Sequence, residues 1–337
     1  MTKSYQIAVI PGDGIGPEVI AAVLKVLEAT EVNFSFHHCE AGDGCFAKHG
    51  EALPEETLEC ALESDAVLFG AAGDTAADVI LRLRRELDTF VNLRPVWAFP
   101  SVPCLYPKTK LVIVRENTEC LYRGIENEIT PGVVTATRVI TQKASERIAR
   151  FAFEYAQANG FHKVTAVHKA NVLKKSDGLF LSTVRAVAKN FPKIIYDEAL
   201  VDAVAMHLVM QPERFQVIVT TNLFGDILSD LTAGLIGGLG LCPSANLGEQ
   251  HALFEPVHGT APDIAGKNIA NPTAAILCGV MMLRHLGEAA FAQQIESALE
   301  QTIVAGLTTP DLRGTLSTIE MAQAVITRMK DDMHDVL

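Results

Sequence analysis

Several features that would assign a chain to a class are missing from these 337 residues. No basic run or stripe occurs, and 28 lysines and arginines against 40 aspartates and glutamates leave a formal charge of -12. That field opposes a phosphate backbone, so nucleic acid is excluded as a partner. It also cannot draw in an anionic substrate, which would need a compact group of arginines instead. The seven cysteines (Cys39, Cys45, Cys60, Cys104, Cys120, Cys242 and Cys278) are odd in number, scattered and without a Cys-x-x-Cys pair. Reduced thiols are expected, not a disulfide framework. The segment from His37 to His49 gathers histidines and cysteines but lacks zinc-finger spacing, and reads as ordinary strand and loop. No apolar stretch reaches about 18 residues, and Ile7 to Ile10 stops at Pro11-Gly12, too short for a signal-peptide core. A cytoplasmic protein with no membrane association is expected. Gly-x-Gly-x-x-Gly and Gly-Lys-Ser/Thr are both absent, which argues against a Rossmann domain and a P-loop. There is no internal repeat and no flexible linker.

What is present is a core-forming composition, 49% hydrophobic and 20% charged, over a length that suits about two domains. Short β-branched runs alternate with helical patterns: Gln6 to Ile10 then Pro17 to Ala29, Ala66 to Phe69 then Ala76 to Leu87, Val164 to Val167 then Gly178 to Lys189, Val217 to Thr220 then Asp226 to Leu235. This predicts an α/β fold with a largely parallel sheet covered by helices, and chemistry at the strand exits. Between Glu126 and Ile140 a Pro-Gly flanked by β-branched residues reads as a hairpin, a candidate arm.

The sharpest element is Phe224-Gly-Asp-Ile-Leu-Ser-Asp230. Asp226 and Asp230 are four apart, so on a helix both carboxylates share one face and can reach one hard cation such as Mg²⁺ or Mn²⁺. A helix-start acid beside a solvated acid would look the same. Asp202 could complete the set, though spacing cannot place it. Arg84, Arg94 and Arg115 lie on separate predicted elements and could converge on a dicarboxylate, which guanidinium forks bind bidentately. Arg82 and Arg85 read as surface residues. Tyr122 and Lys169 are acid and base candidates by residue type alone. Gly12-Asp13-Gly14-Ile15 follows the first strand and suits a phosphate or nicotinamide. Glu255-Pro-Val-His258-Gly259-Thr260-Ala261-Pro-Asp263-Ile264, with Asn271 beyond, is a turn-rich loop carrying polar groups, equally readable as a structural turn.

Taken together, Gly-Asp-Gly-Ile-Gly-Pro-Glu (12–18), Leu-Arg…Asn-Leu-Arg-Pro (83–95), Val-Arg-Glu-Asn-Thr-Glu…Tyr (114–122), His-Lys-Ala-Asn-Val-Leu (168–173), Phe-Gly-Asp-Ile-Leu-Ser-Asp and Glu-Pro-Val-His-Gly-Thr-Ala-Pro-Asp-Ile-Ala-Gly resemble the isocitrate/isopropylmalate dehydrogenase family across nearly the whole chain. The resemblance implies a mixed, largely parallel sheet, helices on both faces and a dimer-clasping arm. It implies a large cofactor-side domain of residues 1–98 and 248–337, and a small domain of 99–247. Arg84, Arg94 and Arg115 match the arginines that grip the malate core. Asp226 and Asp230 match the Mg²⁺ or Mn²⁺ ligands, joined by Asp202 of a second subunit. Lys169, also from a second subunit, matches the base at the C2 hydroxyl, and Tyr122 the acid that protonates the enol. A homodimer, or a dimer of dimers, follows. Gly12, Asp13, Gly14, Ile15, Glu255, His258, Gly259, Thr260, Ala261, Asp263, Ile264 and Asn271 match the cofactor loops. Asp263-Ile264 stands where NADP forms carry Lys-Tyr, so NAD is implied. Cys120 replaces the glycine usual before the motif's Leu-Tyr.

The variable arm of the substrate should meet the turn before Arg84, where Ala77, Ile80 and Leu81 read apolar. Isocitrate enzymes carry Ser and Asn where this chain has Asp78 and Ile80, so a third carboxylate is disfavoured. Archaeal-type isopropylmalate enzymes look most similar there. The expected reaction is oxidative decarboxylation of 3-isopropylmalate, with tolerance for 3-methylmalate. Isocitrate or homoisocitrate is the alternative, because Glu-Asn-Thr-Glu (116–119) and residues 147–178 look like NAD-isocitrate dehydrogenase. A phosphate-binding kinase-like or NTPase domain is the competing class, and it leaves Arg84, Arg94, Arg115 and Asp263 without a task.

Overall fold

The computed structural model describes residues 4–334. Strands β1 (Ser4–Gly12), β2 (Asn33–His38), β3 (Ala66–Ala71), β4 (Val91–Trp97), β5 (Lys110–Glu116), β6 (Glu126–Thr130), β7 (Val133–Ala136), β8 (Lys163–His168), β9 (Ile195–Leu200), β10 (Val217–Thr220), β11 (Pro243–Leu247) and β12 (Ala252–Pro256) arise from the β-branched runs. Ten of them form one sheet in the order β2-β1-β3-β12-β11-β4-β5-β10-β8-β9. Two parallel wings, β2-β1-β3-β12 and β5-β10-β8-β9, are joined through β11 and β4, which pair antiparallel with each other and with their neighbours. The sheet is therefore largely parallel, as the alternation predicted, and mixed, as the family resemblance implied.

Helices α1 (Gly16–Glu28), α2 (Asp43–His49), α3 (Glu55–Glu63), α4 (Ala76–Glu86), α5 (Gln142–Ala158), α6 (Ser176–Ala188), α7 (Val201–Met210), α8 (Asn222–Ile236), α9 (Thr273–His285), α10 (Ala289–Val304) and α11 (Thr318–His334) cover the sheet. Strand alternation divides the burial between two faces. Ile7, Val9 and Leu68 pack into the main core with α1 and α9, whereas Ala8, Ile10, Val67 and Phe69 pack into a second cluster with Leu58 of α3 and Val79 and Leu83 of α4. The same alternation at the centre sends Leu93, Pro95 and Trp97 of β4 and Ala245 of β11 into an apolar cavity of about 490 Å³ on one face. Asn92, Arg94, Ser244 and Asn246 thus fall on the other.

Helix α8 begins at Asn222, four residues before the Asp226 start read from the pattern. Asn222 and Gly225 are weak helix formers, but both are buried against Arg115, and that contact overrides propensity. Strands β6 and β7 form a two-stranded antiparallel hairpin outside the sheet, every residue of it exposed. Glu40, Cys45 and His49 bring ligand atoms within 4.8 Å of one another. Glu40 there already pairs with Lys48 at 3.1 Å and His49 at 3.4 Å, in line with an ordinary surface role. Among the described residues no helix is long and apolar enough to cross a membrane.

Candidate active site

Parallel and antiparallel strands meet at β4 and β5, and their inward-facing arginines meet there too. Arg94 of β4 and Arg115 of β5 are 6% and 1% exposed, and Arg84 of α4 is 7% exposed. Guanidinium groups this deep must be paired. Arg115 donates through Nη1 to Asp226 Oδ1 and through Nε and Nη2 to Asn222 Oδ1 at 3.0 and 2.7 Å. Arg94 donates to Ser229 Oγ at 2.5 Å and to Asp226 Oδ1 at 3.3 Å, and lies 3.7 Å from Asp230 Oδ1. Burial pushes the pKa of Arg115 down, Arg94 beside it adds to this, and Asp226 opposes it, leaving about 9, still protonated at neutral pH. Burial alone would raise the pKa of Asp226, but Arg115 and Arg94 outweigh it and hold the carboxyl below its usual range. At Asp230 burial, reinforced by the Asp226 charge, wins and raises the pKa. Asp226 is paired closely with two arginines, whereas the more exposed Asp230 has only the longer Arg94 contact. Two aspartate oxygen donors on one helix face, with mutual repulsion to relieve, fit a hard divalent ion.

A buried polar chain supports this cluster from below. Arg84 Nη2 donates to Glu255 Oε1 at 2.7 Å, and Asn246 Nδ2 donates to the same oxygen at 2.7 Å. Asn246 Oδ1 accepts from Asn92 and Asn117, and Asn92 Oδ1 accepts from Arg94 Nε at 2.8 Å. Residues of β4, β11 and β12 therefore fix two of the three arginines, Arg84 through the Glu255 carboxylate and Arg94 through Asn92, linked by Asn246, and neither asparagine has a role expected from the sequence. Glu255, expected on the cofactor side, is occupied with Arg84. Arg82, by contrast, donates to exposed Glu55, as expected of a surface residue.

Tyr122 donates its hydroxyl proton to Asp226 Oδ2, and its ring lies 4.9 Å under the Arg115 guanidinium. Burial raises its pKa and the Asp226 contact adds to this, with Arg115 opposing, so the phenol keeps its proton at neutral pH. Two residues earlier, Cys120 is fully buried at φ 72° and ψ -147°, a region that suits glycine. Lys169 and Asp202 pair with each other, and neither contacts Asp226, Asp230 or Tyr122 among the described residues. Their side chains are 27% and 62% exposed.

The two loops expected around the cofactor are held together by a hydrogen bond from Ile15 N to Thr260 O at 2.9 Å. Gly14 permits it: at φ 59°, an added Cβ would fall 2.2 Å from Thr260 O. Asp13 is a structural anchor, accepting backbone N–H groups of Asp43, Gly44 and Gly73 at 2.8, 3.1 and 3.0 Å. Asn271 bridges Asp311 and the start of α9. Three features of the loop at 255–264 remain open. His258 Nε2 is buried without a partner, and burial depresses its pKa, so the ring is neutral. Asp263 is exposed, its carboxylate unpaired among the described residues, with half-exposed Ile264 after it and Gly259 and Ala261 around it. A ring nitrogen of His258 without a partner, its other nitrogen against Gly259 O at 3.0 Å, and an exposed acid five residues on in the same glycine-bearing loop fit a dinucleotide with an unmodified ribose. On α4, Leu81 and Ala77 stay accessible, while Ile80 is 9% exposed and packs with Leu83 in the second core.

Gly225 allows α8 to approach β5, since a Cβ there would lie 2.6 and 2.7 Å from Cγ and Cβ of Arg115. Gly225→Ala should displace the Arg115 guanidinium from Asp226. The expected result is a KM for the hydroxy acid raised about 10-fold, with a loss of stability of about 1–3 kcal/mol. Steady-state kinetics and thermal melting check it, and an unchanged KM would show that Arg115 does not need this fit.

Known proteins place this arrangement. A family profile described as Isocitrate/isopropylmalate dehydrogenase matches residues 6–325. A 3-isopropylmalate dehydrogenase from Methanothermobacter thermautotrophicus is 60% identical over 329 residues, covering 98% of this chain and 100% of that protein. A 3-isopropylmalate/3-methylmalate dehydrogenase from Methanocaldococcus jannaschii is 57% identical over 332 residues, covering 97% and 100%. The crystal structure of isocitrate dehydrogenase from Methylococcus capsulatus superposes with a TM-score of 0.94 at 46% identity, covering 97% of this chain and 99% of that one. With its two-winged sheet, arginine cluster and aspartate pair, this chain belongs to the isocitrate/isopropylmalate dehydrogenase family.

Proposed function

We propose that the chain is an NAD-dependent 3-isopropylmalate dehydrogenase that also accepts 3-methylmalate. The observation that carries this is the grouping of buried Arg84, Arg94 and Arg115 beside Asp226 and Asp230, with an α4 turn that leaves apolar Ala77 and Leu81 and the acid Asp78 accessible. Three cations suit two carboxylates of a malate core, and a turn of apolar groups and one acid offers nothing to a third. The 60% and 57% identical relatives support the same substrate.

The roles follow from position. Arg84, Arg94 and Arg115 hold the substrate carboxylates, while Asp226 and Asp230, with Asp202 of a second copy, would hold Mg²⁺ or Mn²⁺. The loops at 12–15 and 255–264, with Asn271, would hold NAD, Asp263 accepting from the adenosine ribose. When bound, NAD accepts hydride and the cation favours negative charge on the C2 oxygen. Lys169 of the second copy receives the C2 hydroxyl proton. After the C3–carboxyl bond breaks and CO₂ leaves, Tyr122 returns a proton to C3, which its raised pKa equips it to carry. Sharing Lys169 and Asp202 between copies is supported by their separation from Asp226. The apolar surface beside them points the same way: Met206, Val209 and Met210 on α7 and Ile227 on α8 are each at least half exposed. A homodimer, or a dimer of dimers, would cover it, with β6–β7 as the clasping arm. The two domains, 1–98 with 248–337 and 99–247, would hinge at β4 and β11. A cytoplasmic location suits reduced cysteines.

The test is NADH formation with Mg²⁺ and NAD on isopropylmalate, 3-methylmalate, isocitrate, homoisocitrate, malate and tartrate in turn. A preference for isocitrate would overturn the substrate assignment, and inactivity on all would overturn the enzyme. Asp263→Lys with Ile264→Tyr should raise the ratio of kcat/KM for NADP over NAD about 100-fold, roughly 3 kcal/mol from a removed repulsion and a gained ion pair. An unchanged ratio rejects the role of Asp263.

A further inference from the structure

Arg138 lies between β7 and α5, near the end of the hairpin stretch from Glu126 to Ile140 but with no role expected of its side chain, which is only 13% exposed. Its guanidinium joins three segments that carry functional groups. Nε donates to Cys120 Sγ at 3.2 Å, two residues before Tyr122. Nη1 donates to Asp177 Oδ1 and, at 3.4 Å, to Ser176 Oγ at the start of α6. Nη2 donates to Thr221 Oγ1 at 2.9 Å, the residue that precedes α8 and its Asp226. The plane packs 5.0 Å from the Phe224 ring. Asp177 is 0% exposed, and its second oxygen accepts the backbone N–H of Lys169 at 2.6 Å. The cation thus both neutralises a buried acid and links, through it, the turn that aims Lys169.

We propose that Arg138 is a positioning residue for two active sites at once, tying the Tyr122 loop and the α8 start of its own site to the Lys169 turn that serves the other copy's site. The proposal rests on the reading that Lys169 acts across the dimer. A planar five-donor group is required, because the three segments approach from different directions and an ammonium is a single point charge. Cys120 sharpens the need. Its backbone sits in a glycine region, so the loop tends to relax unless the Arg138 contact and the Cys120–Val139 backbone pairing hold it.

Arg138→Met alone would strand a buried carboxylate and could fail to fold. The test variant is therefore Arg138→Met with Asp177→Asn, which removes the charge pair yet keeps an amide oxygen for Lys169 N. The homodimer should lose about 30-fold in kcat, with KM for isopropylmalate and NAD changed less than about 3-fold and melting little affected. Arg138→Lys should recover only part of the rate. Differently tagged copies then give hybrid dimers with wild type. A two-site role leaves such a hybrid with about one-fifth of wild-type activity or less, because each site loses one positioned group, whereas a one-site role leaves about half. A control hybrid of Tyr122→Phe with Lys169→Met tests sharing by itself: shared sites restore about half of wild-type activity from two nearly inactive parents. Restoration in the control with half activity in the Arg138 hybrid overturns the proposal while sparing the shared site. No restoration overturns sharing, and the two-site role with it.

Discussion

Asp226→Asn should lower kcat/KM about 10³-fold while leaving a folded protein. Asp226 is where the site's charges balance. Its Oδ1 accepts from Arg94 and Arg115, its Oδ2 from Tyr122, and its neighbour Asp230 has the longer Arg94 contact at 3.7 Å. An asparagine can still accept through one oxygen, so the Arg115 contact and the α8 start survive. The negative charge does not. The substitution removes an anionic donor from the proposed cation site and turns an acceptor of the Tyr122 proton into an NH₂ group that repels it. Two readouts separate these effects from misfolding. Mn²⁺ titration followed by electron paramagnetic resonance should show weakened binding independent of turnover, and circular dichroism should show retained helix. Unaltered Mn²⁺ affinity would remove Asp226 from the ligand set even if activity fell.

Lys169→Met should lower kcat about 10³-fold with KM for the hydroxy acid within a few-fold, the signature of a group that acts on a proton in the transition state and contributes little to ground-state binding. Methionine keeps the length and apolar stem of lysine. The backbone N–H of residue 169 still donates to Asp177, so the turn after β8 should hold. The exposed Asp202 carboxylate, which now pairs with Lys169, loses only a surface partner. Rapid-mixing measurement of NADH should show no pre-steady-state burst, because proton removal accompanies hydride loss. A kcat within 10-fold of wild type would mean another group takes the proton.

Much of this was legible because it depends on period and residue type. The alternation of β-branched runs with helical patterns gave the parallel wings. The four-residue spacing of Asp226 and Asp230 gave one helix face, and Pro-Gly between β-branched residues gave the β6–β7 hairpin. Other features depend on which strands become neighbours. Nothing local to Asn92, Asn246 or Glu255 marks them as partners, because they lie on strands up to 163 positions apart that meet only through the antiparallel centre of the sheet. Asp13 is expected at the cofactor from its glycine-rich setting, and only the tertiary structure shows that its carboxylate accepts backbone groups from the start of α2 and from Gly73.

The sequence by itself therefore determined the fold class and the family, and pointed to the proposed chemistry: an acid pair suited to a cation, arginines suited to carboxylates and, through the family resemblance, an acid at 263 suited to an unmodified ribose. Each is a residue type in a short pattern, and short patterns are local. Tertiary structure alone decided how those groups are charged and aimed. It set Asp226 against two arginines and a phenol, left Asp230 with one longer arginine contact, and paired Lys169 with Asp202 away from both. It also placed Arg138 at the junction of three loops. Charge balance and aim are properties of what lies within a few ångströms, and in a ten-stranded sheet crossed back and forth by one chain those neighbours are remote in sequence.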